Sequence, residues 1–311
     1  MGKTAKSIQI NLAERINHAK LPMYKKIITF DPLEKITNGD ITITPLMVDH
    51  SAFDAYMFII ETNGYRILHT GDFRLHGFRG GKTLKMLSHY ADEIDYIICE
   101  GTMLSRFGES QISEHELQNK AKALMNSSKY VFVFCPSTNI DRIGAFYHAN
   151  PKGRLFICDK YQKKQLEIVR RDHSMHSRFY DFNAVFDYKP NLGKYMEERG
   201  FCMLVRQGTF FKNIMEKYKG RCMIIYSMWT GYLDDRARNE SLCAFLDPYE
   251  LTFLHTSGHA SPEDLKQLYE TINPNFGLIP IHSETPEMFK QIIPNGSIII
   301  LDDGKPLLMS N

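Results

Sequence analysis

The chain has almost no net charge and no long apolar run, and each scarcity removes a class of protein. With 38 Lys+Arg against 36 Asp+Glu, its 311 residues carry a formal charge of +2. Attraction for a polyanion must therefore come from a local patch, not from the field of the whole molecule. The longest apolar stretches, such as Tyr130 to Cys135 and Ile298 to Leu301, fall far short of the ~20 residues that cross a bilayer. No membrane partner is expected. The opening Met1-Gly2-Lys3-Thr4-Ala5-Lys6-Ser7 leads into Ile8-Gln9-Ile10-Asn11 without an apolar h-region, so no secretory signal is read there.

Six cysteines, at 99, 135, 158, 202, 222 and 243, include no C-x-x-C pair. Most lie in apolar runs, where a thiol acts as a small hydrophobe, and a reducing cytoplasm is the expected location. Glycine and proline, 20 and 13, are at background levels, which removes collagen-like and low-complexity readings. G-x-G-x-x-G and G-x-S-x-G are both missing, and with them the simplest dinucleotide-binding and serine-hydrolase sites. Gly80-Gly81-Lys82-Thr83 ends like a phosphate loop, but His76 stands where that loop needs glycine, so it reads as a tight basic turn.

What is present is a globular chain, 43% hydrophobic and 24% charged, of one large domain or two. Periodicity predicts helices over 5–20, 114–125, 141–149, 160–170, 211–218 and 262–272. Strands are predicted over 41–44, 56–62, 65–69, 96–99, 130–134, 154–157, 222–226, 276–281 and 297–301. Asn63-Gly64 is a two-residue hairpin signal joining two of them. Residues 172–194 read as irregular. Strand-rich ends around an alternating middle predict an α/β chain with a parallel sheet inserted into a second sheet domain.

Four polar segments fall where strands end: Asp49-His50-Ser51, His69-Thr70-Gly71-Asp72, Ser257-Gly258-His259-Ala260 and Pro280-Ile281-His282-Ser283. Strand ends hold side chains rigidly while leaving their tips open, which suits metal ligands and acid/base groups. A single such histidine more often just bonds a loop carbonyl; four segments together argue for a site.

These segments resemble the metallo-β-lactamase fold nucleases of the β-CASP group, ribonuclease J among them. Thr70-Gly71-Asp72-Phe73-Arg74 and Cys99-Glu100-Gly101-Thr102 are similar to two motifs of that group, as is Ser137-Thr138-Asn139-Ile140-Asp141-Arg142 to a stretch of its inserted domain. The resemblance runs from about 1 to 311. It implies a metallo-β-lactamase αββα sandwich, N-terminally incomplete, with an inserted α/β β-CASP domain: 1–112 and 246–311 for the sandwich, 113–245 for the insertion. It implies a zinc-dependent phosphodiesterase acting on RNA, or on single-stranded DNA, through two ions, with a homodimer as an open possibility.

By the same resemblance, His50, Asp72 and His282 are metal ligands, and Asp72, His259 and Glu100 are catalytic. Ser137, Asn139, Arg142 and Ser257 are then substrate-binding, and Arg74, with Arg79, is expected to contact the phosphate backbone because it lies close in sequence to Asp72. Two divalent cations ~3.5 to 4 Å apart can share a water and clamp both oxygens of an in-line displacement. A bridging carboxylate such as Asp72 and neutral imidazoles such as His50 and His282 suit zinc. His259 would protonate the leaving 3′ oxygen, with Glu100 orienting its ring; spacing alone does not separate ligand from acid.

The sequence departs from the group at its best-known motif. H-x-H-x-D-H, which should precede the first helix, is missing, and no two histidines are separated by one residue. The metal site is expected to be incomplete in this chain, whether by truncation, an internal start or evolutionary loss. The rival readings are a catalytically silent RNA-binding or scaffolding relative and a hydrolase of small esters on the same fold.

Lys152, Arg154, Lys160, Lys163, Lys164, Arg170 and Arg171 form a basic run that reads as a solvated face, interrupted by Asp159 and Glu167. Trp229, in Tyr226-Ser227-Met228-Trp229-Thr230-Gly231-Tyr232, reads first as a packing residue between domains and second as a base-stacking one.

Overall fold

A computed structural model describes residues 1–17, 26–106, 108, 111–173 and 176–308. The chain forms two compact units, one of Met1–Ala5, Ile27–Gln111 and Ser257–Asn311, the other of Lys6–Lys26 and Ile112–Thr256. Helix α1 (Lys3–Asn17) is divided between them. Residues 18–20 of the predicted first helix lie outside the described residues.

In the first unit β1 (Ile36–Asn38), β2 (Ile41–Val48), β3 (Ala55–Thr62) and β4 (Tyr65–His69) pair antiparallel in succession. Strands β5 (Tyr96–Glu100) and β12 (Gly277–Ile281) extend the sheet in parallel. Asn63 and Gly64 take φ of 49° and 81°, the left-handed conformations a tight hairpin turn needs, and Thr62 faces Tyr65 across the turn. One sheet face buries Leu46, Val48, Met57, Ile59, Leu68, Ile97 and Leu278 with Leu87 of α2 (Gly80–Tyr90), Leu265 and Leu268 of α10 (Pro262–Ile272) and Phe289 of α11 (Phe289–Ile292). The other face buries Ile67, Tyr96 and Ile279, with Ile299 packed on them.

The second unit has a wholly parallel sheet of β6 (Tyr130–Phe134), β7 (Leu155–Cys158), β8 (Val185–Asp187), β9 (Phe201–Val205), β10 (Met223–Tyr226) and β11 (Leu251–Phe253). Their spatial order is β11-β10-β6-β9-β7-β8. Helices α3 (Glu114–Ser127), α4 (Ile140–Ala149), α5 (Lys160–His173), α6 (Gly193–Arg199), α7 (Thr209–Met215), α8 (Gly231–Asp234) and α9 (Glu240–Leu246) connect or flank the strands. All five residues of β6 and of β9 are buried, as expected of central parallel strands covered on both faces.

The structure departs from the sequence pattern in several places. Strand β9 goes unread because Phe201-Cys202-Met203-Leu204-Val205 has no alternation and, unlike Tyr130 to Phe134, few β-branched or aromatic residues to mark it. Gly80-Gly81-Lys82-Thr83 opens α2 instead of closing a turn, and a Cβ at Gly80 would lie 1.7 Å from the Leu75 carbonyl oxygen. Residues 297–301 form no strand: Leu278 N donates to Ser297 O and Ile299 N to Leu278 O, a single bridge beside β12. Within 172–194 the chain forms β8 and the start of α6. The second unit runs past residue 245 to Thr256 because β11 pairs with β10.

Candidate metal centre

Strand direction gathers the candidate residues on one edge of the first sheet. Strands β2 and β4 are each antiparallel to β3, and β4, β5 and β12 run parallel, so the carboxyl ends of β2, β4, β5 and β12 share an edge. His50 follows β2, Asp72 follows β4, Glu100 ends β5, His282 follows β12, and His259 lies just before α10. The His259 ring centroid lies 5.0 Å from that of His50 and 5.9 Å from that of His282. Ligand-capable atoms of His50, Asp72 and His259 fall within 4.8 Å of one another, as do those of Asp72, Glu100 and His282.

Each imidazole is held by its Nδ1. His50 Nδ1 is 2.7 Å from the Gly258 carbonyl oxygen, to which it donates, leaving Nε2 with the lone pair. His259 Nδ1 lies 3.1 Å from Glu100 Oε2 and 3.3 Å from Oε1. His282 Nδ1 lies 3.0 Å from Asp72 Oδ1. His282 also has φ of 48°, a left-handed conformation sparsely populated by non-glycine residues and concentrated at functional sites. The backbone itself thus sets the direction of that ring. It is the most open of the three, its side chain 58% exposed against 24% for His259.

Burial and charge push the two inner histidines apart. Burial, and then the neighbouring His259, lower the proton affinity of His50, and Asp72 and the Gly258 carbonyl only partly oppose them. Burial also acts to lower that of His259, but the hydrogen bond and charge of Glu100, with Asp72, outweigh it and the net shift is upward. Glu100 is fully buried and already accepts from Phe73 N at 2.9 Å and Thr102 N at 3.3 Å. Its oxygens are therefore occupied as supports. The donor set fits a divalent ion: imidazole nitrogens and one half-open carboxylate, with His50 fixed by a carbonyl in the way ligating histidines are oriented.

Several residues expected at the substrate are elsewhere employed. Arg142 is wholly buried, donating through Nε to both Glu114 oxygens at 3.1 and 3.0 Å, through Nη1 to Ser227 Oγ at 2.7 Å and through Nη2 to Thr256 O at 2.9 Å. Asn139 caps α4, its side chain accepting from Arg142 N. Arg74 is equally buried against Asp49. Ser257 is buried and its Oγ accepts from His259 N at 3.0 Å. Ser137 is half-buried, its Oγ 3.3 Å from Tyr161 Oη. A fully enclosed guanidinium cannot reach a phosphate, and motif matching carries no information on enclosure.

Three supporting residues go unread in the sequence. Asp49 accepts from Arg74 Nε at 2.8 Å and from Arg79 N at 2.6 Å. His76 links Asp264 Oδ2, 2.8 Å from its Nδ1, to Ser257 O, 3.0 Å from its Nε2. Asp264 forms a capping box with Ser261 at the start of α10; the pattern Ser261-Pro262-Glu263-Asp264 was the available signal. The basic run is a solvated face: Lys163 lies near Asp187, Lys164 pairs with Glu14 and Arg170 with Asp181.

With this geometry in hand, residues 250–291, which hold both His259 and His282, match the family described as Zn-dependent metallo-hydrolase RNA specificity domain. Ribonuclease J of Mycoplasma pneumoniae is 24% identical over a 332-residue alignment covering 94% of this chain and 57% of that one. Over most of its length the chain resembles ribonuclease J. Ribonuclease J of Mycoplasma genitalium is also 24% identical, over 88% of this chain and 51% of its own, and that of Helicobacter pylori strain 26695 is 24% identical over 86% and 42%. This ribonuclease J-like chain thus spans about half the length of the curated relatives it matches. The fold is that of a crystal structure from Enterococcus faecalis V583 of a protein of unknown function, with a TM-score of 0.77 and 21% identity over 98% of this chain and 74% of that one. The chain is thus similar in sequence to ribonucleases J and, over residues 250–291, to a domain described as Zn-dependent, within a mixed α/β fold. Among the described residues no helix is long and apolar enough to cross a membrane.

Proposed function

We propose that this chain bears the site of a zinc-dependent phosphodiesterase of the β-CASP metallo-β-lactamase group acting on RNA, its second unit being the β-CASP insertion. The observation that carries the reading is the convergence of three imidazoles and Asp72 at one sheet edge, with Glu100 buried behind His259. The names of the relatives and of the matched domain support RNA as the substrate.

His50, Asp72 and His282 are the groups that would hold the metal, through imidazole nitrogens and a carboxylate. When bound, such ions lower the pKa of water and offset charge on the phosphoryl oxygens. The chain's own groups do the rest. Glu100 engages His259 at Nδ1 and raises its proton affinity, which favours the protonated ring and leaves Nε2 as the position from which a proton would pass to the departing 3′ oxygen. His50, neutral by burial, stays available as a ligand.

Without H-x-H-x-D-H this chain would offer a metal only His50, Asp72 and His282 from its own residues, where a zinc ion normally takes three or four ligands to itself. Elemental analysis of the dialysed chain is expected to give well under two zinc per chain, and end-labelled single-stranded RNA is expected to be cut only with added divalent ion. Two tightly held ions would overturn the ligand assignment. Binding of RNA with no cleavage at any metal concentration would leave the silent RNA-binding relative instead, and equal cleavage of matched DNA would widen the substrate class.

A further inference from the structure

We infer that Trp229, flanked by Tyr232, is a stacking platform for an unpaired base of single-stranded RNA; this rests on the RNA reading above and adds a site to it. The platform lies where sheet topology favours ligands. From β6 the chain crosses to β7 on one side of the second sheet, whereas from β9 it crosses back over β6 to β10 on the other. Loops leaving β6 and β10 therefore part, and open parallel sheets bind ligands outside the carboxyl ends of strands at such a point. The loop after β10 carries Trp229.

Trp229, the only tryptophan of the chain, is 40% exposed and Tyr232 41%. A loosely held indole would be expected to fold down onto apolar surface, yet this one is fixed in the open. Tyr226 Oη donates to Trp229 O at 3.2 Å, pinning the turn. The Tyr232 ring meets the indole edge-on, centroids 5.4 Å apart at 77°. Gly231, first residue of α8, lacks the positive φ that would itself require glycine. A Cβ there would stand 2.3 to 2.5 Å from Cζ2, Cη2 and Cε2 of the indole. Glycine at 231 makes room for the ring.

An aromatic face ordered in advance binds at low entropic cost, and any base can stack on it. Charge does not compete with stacking: Asp234 and Asp235 offset Arg236 and Arg238 in the following segment, and Arg236 is paired with Asp247. The surface is suited to bases more than to the phosphate backbone.

The single tryptophan makes the test direct. An oligoadenylate of about 12 nucleotides, end-labelled for anisotropy, is titrated into the chain in chelator, so that cleavage does not intrude, while indole emission is followed. The expected result is saturable quenching with the same midpoint as the anisotropy, absent with a duplex of equal length. Trp229→Phe should hold affinity within about 3-fold and Trp229→Ala should lose about 5- to 150-fold, with melting temperature checked for both. Gly231→Ala should displace the indole and weaken binding in the same direction. Anisotropy that saturates with unchanged indole emission, or a folded Trp229→Ala of unaltered affinity, would overturn the platform and leave the RNA reading standing. No anisotropy change at all would remove both.

Discussion

Arg74 Nε and Asp49 Oδ1 meet at 2.8 Å with both side chains fully buried. Asp49 immediately precedes His50, and Arg74 follows Asp72 by two residues. Arg74 Nη1 also donates to Ser257 O at 3.1 Å, two residues before His259. One ion pair thus ties together the three loops that carry His50, Asp72 and His259. Removing one partner strands a buried charge, so Arg74→Met should cost about 3–5 kcal/mol in urea unfolding. Arg74→Met combined with Asp49→Leu should recover part of that loss. Equal instability of single and double variants would count against the pair as the source.

Division of labour between two histidines gives the second expectation. In any preparation that turns over phosphodiesters, His259→Ala should slow turnover about 10²- to 10⁴-fold with metal content unchanged. His282→Ala should lower metal occupancy first. An activated phosphodiester, whose leaving group needs no proton, should rescue the former and not the latter. Equal zinc loss in both variants would refute the split.

Stability against pH offers a third, measured on metal-free protein between pH 5 and 8. The raised His259 stabilises the fold fully below its unfolded value near 6.5, and that contribution fades as pH climbs through the higher folded value. His50, shifted down by burial, acts in the opposite sense: its contribution is present above about 6.5 and lost as pH falls through the lower folded value. Glu100→Gln removes the support of His259 and leaves the His50 term, so the variant should lose more stability than the parent on going from pH 8 to pH 5. Parallel stability profiles would show that Glu100 does not set the His259 proton affinity.

Arg142 separates binding from folding. Its guanidinium is spent on Glu114, Ser227 and Thr256. Arg142→Ala should lower the melting temperature of the second unit, while the folded variant binds RNA as the parent does. Weakened RNA affinity in a variant of parental melting temperature would restore it to the substrate site.

How far the sequence could be read follows from what kind of information each feature leaves in it. His50, Asp72, His259 and His282 could be picked out because polar segments at strand ends are uncommon enough to be noticed together, and Glu100 because Cys99-Glu100-Gly101-Thr102 resembles a β-CASP motif. Enclosure leaves no such trace: Arg74 and Arg142 look like phosphate-binding residues in the sequence, and only packing shows that each is sealed against a carboxylate. The hairpin at Asn63-Gly64 was legible because its φ angles restrict residue choice. Strand β9 was not, because burial on both faces erases alternation and its Cys202-Met203-Leu204 centre lacks the β-branched and aromatic residues that mark β6. The supports His76 and Asp264 act through contacts 181 and 188 residues apart in sequence, which local patterns do not encode.

The six thiols described as small hydrophobes also make the molecule its own clock. None is in a disulfide, and Cys222 alone is not fully buried. Burial holds Cys99, Cys135, Cys158 and Cys202 above the ordinary thiol range, Cys135 at about 12, so their reactive thiolates are scarce while the strands stay closed. Alkylating reagent applied under native conditions should mark Cys222 first and the others only at the rate their surroundings open. Because Cys99 belongs to β5 and Cys202 to β9, the peptide-resolved labelling of these two residues times the opening of each sheet separately.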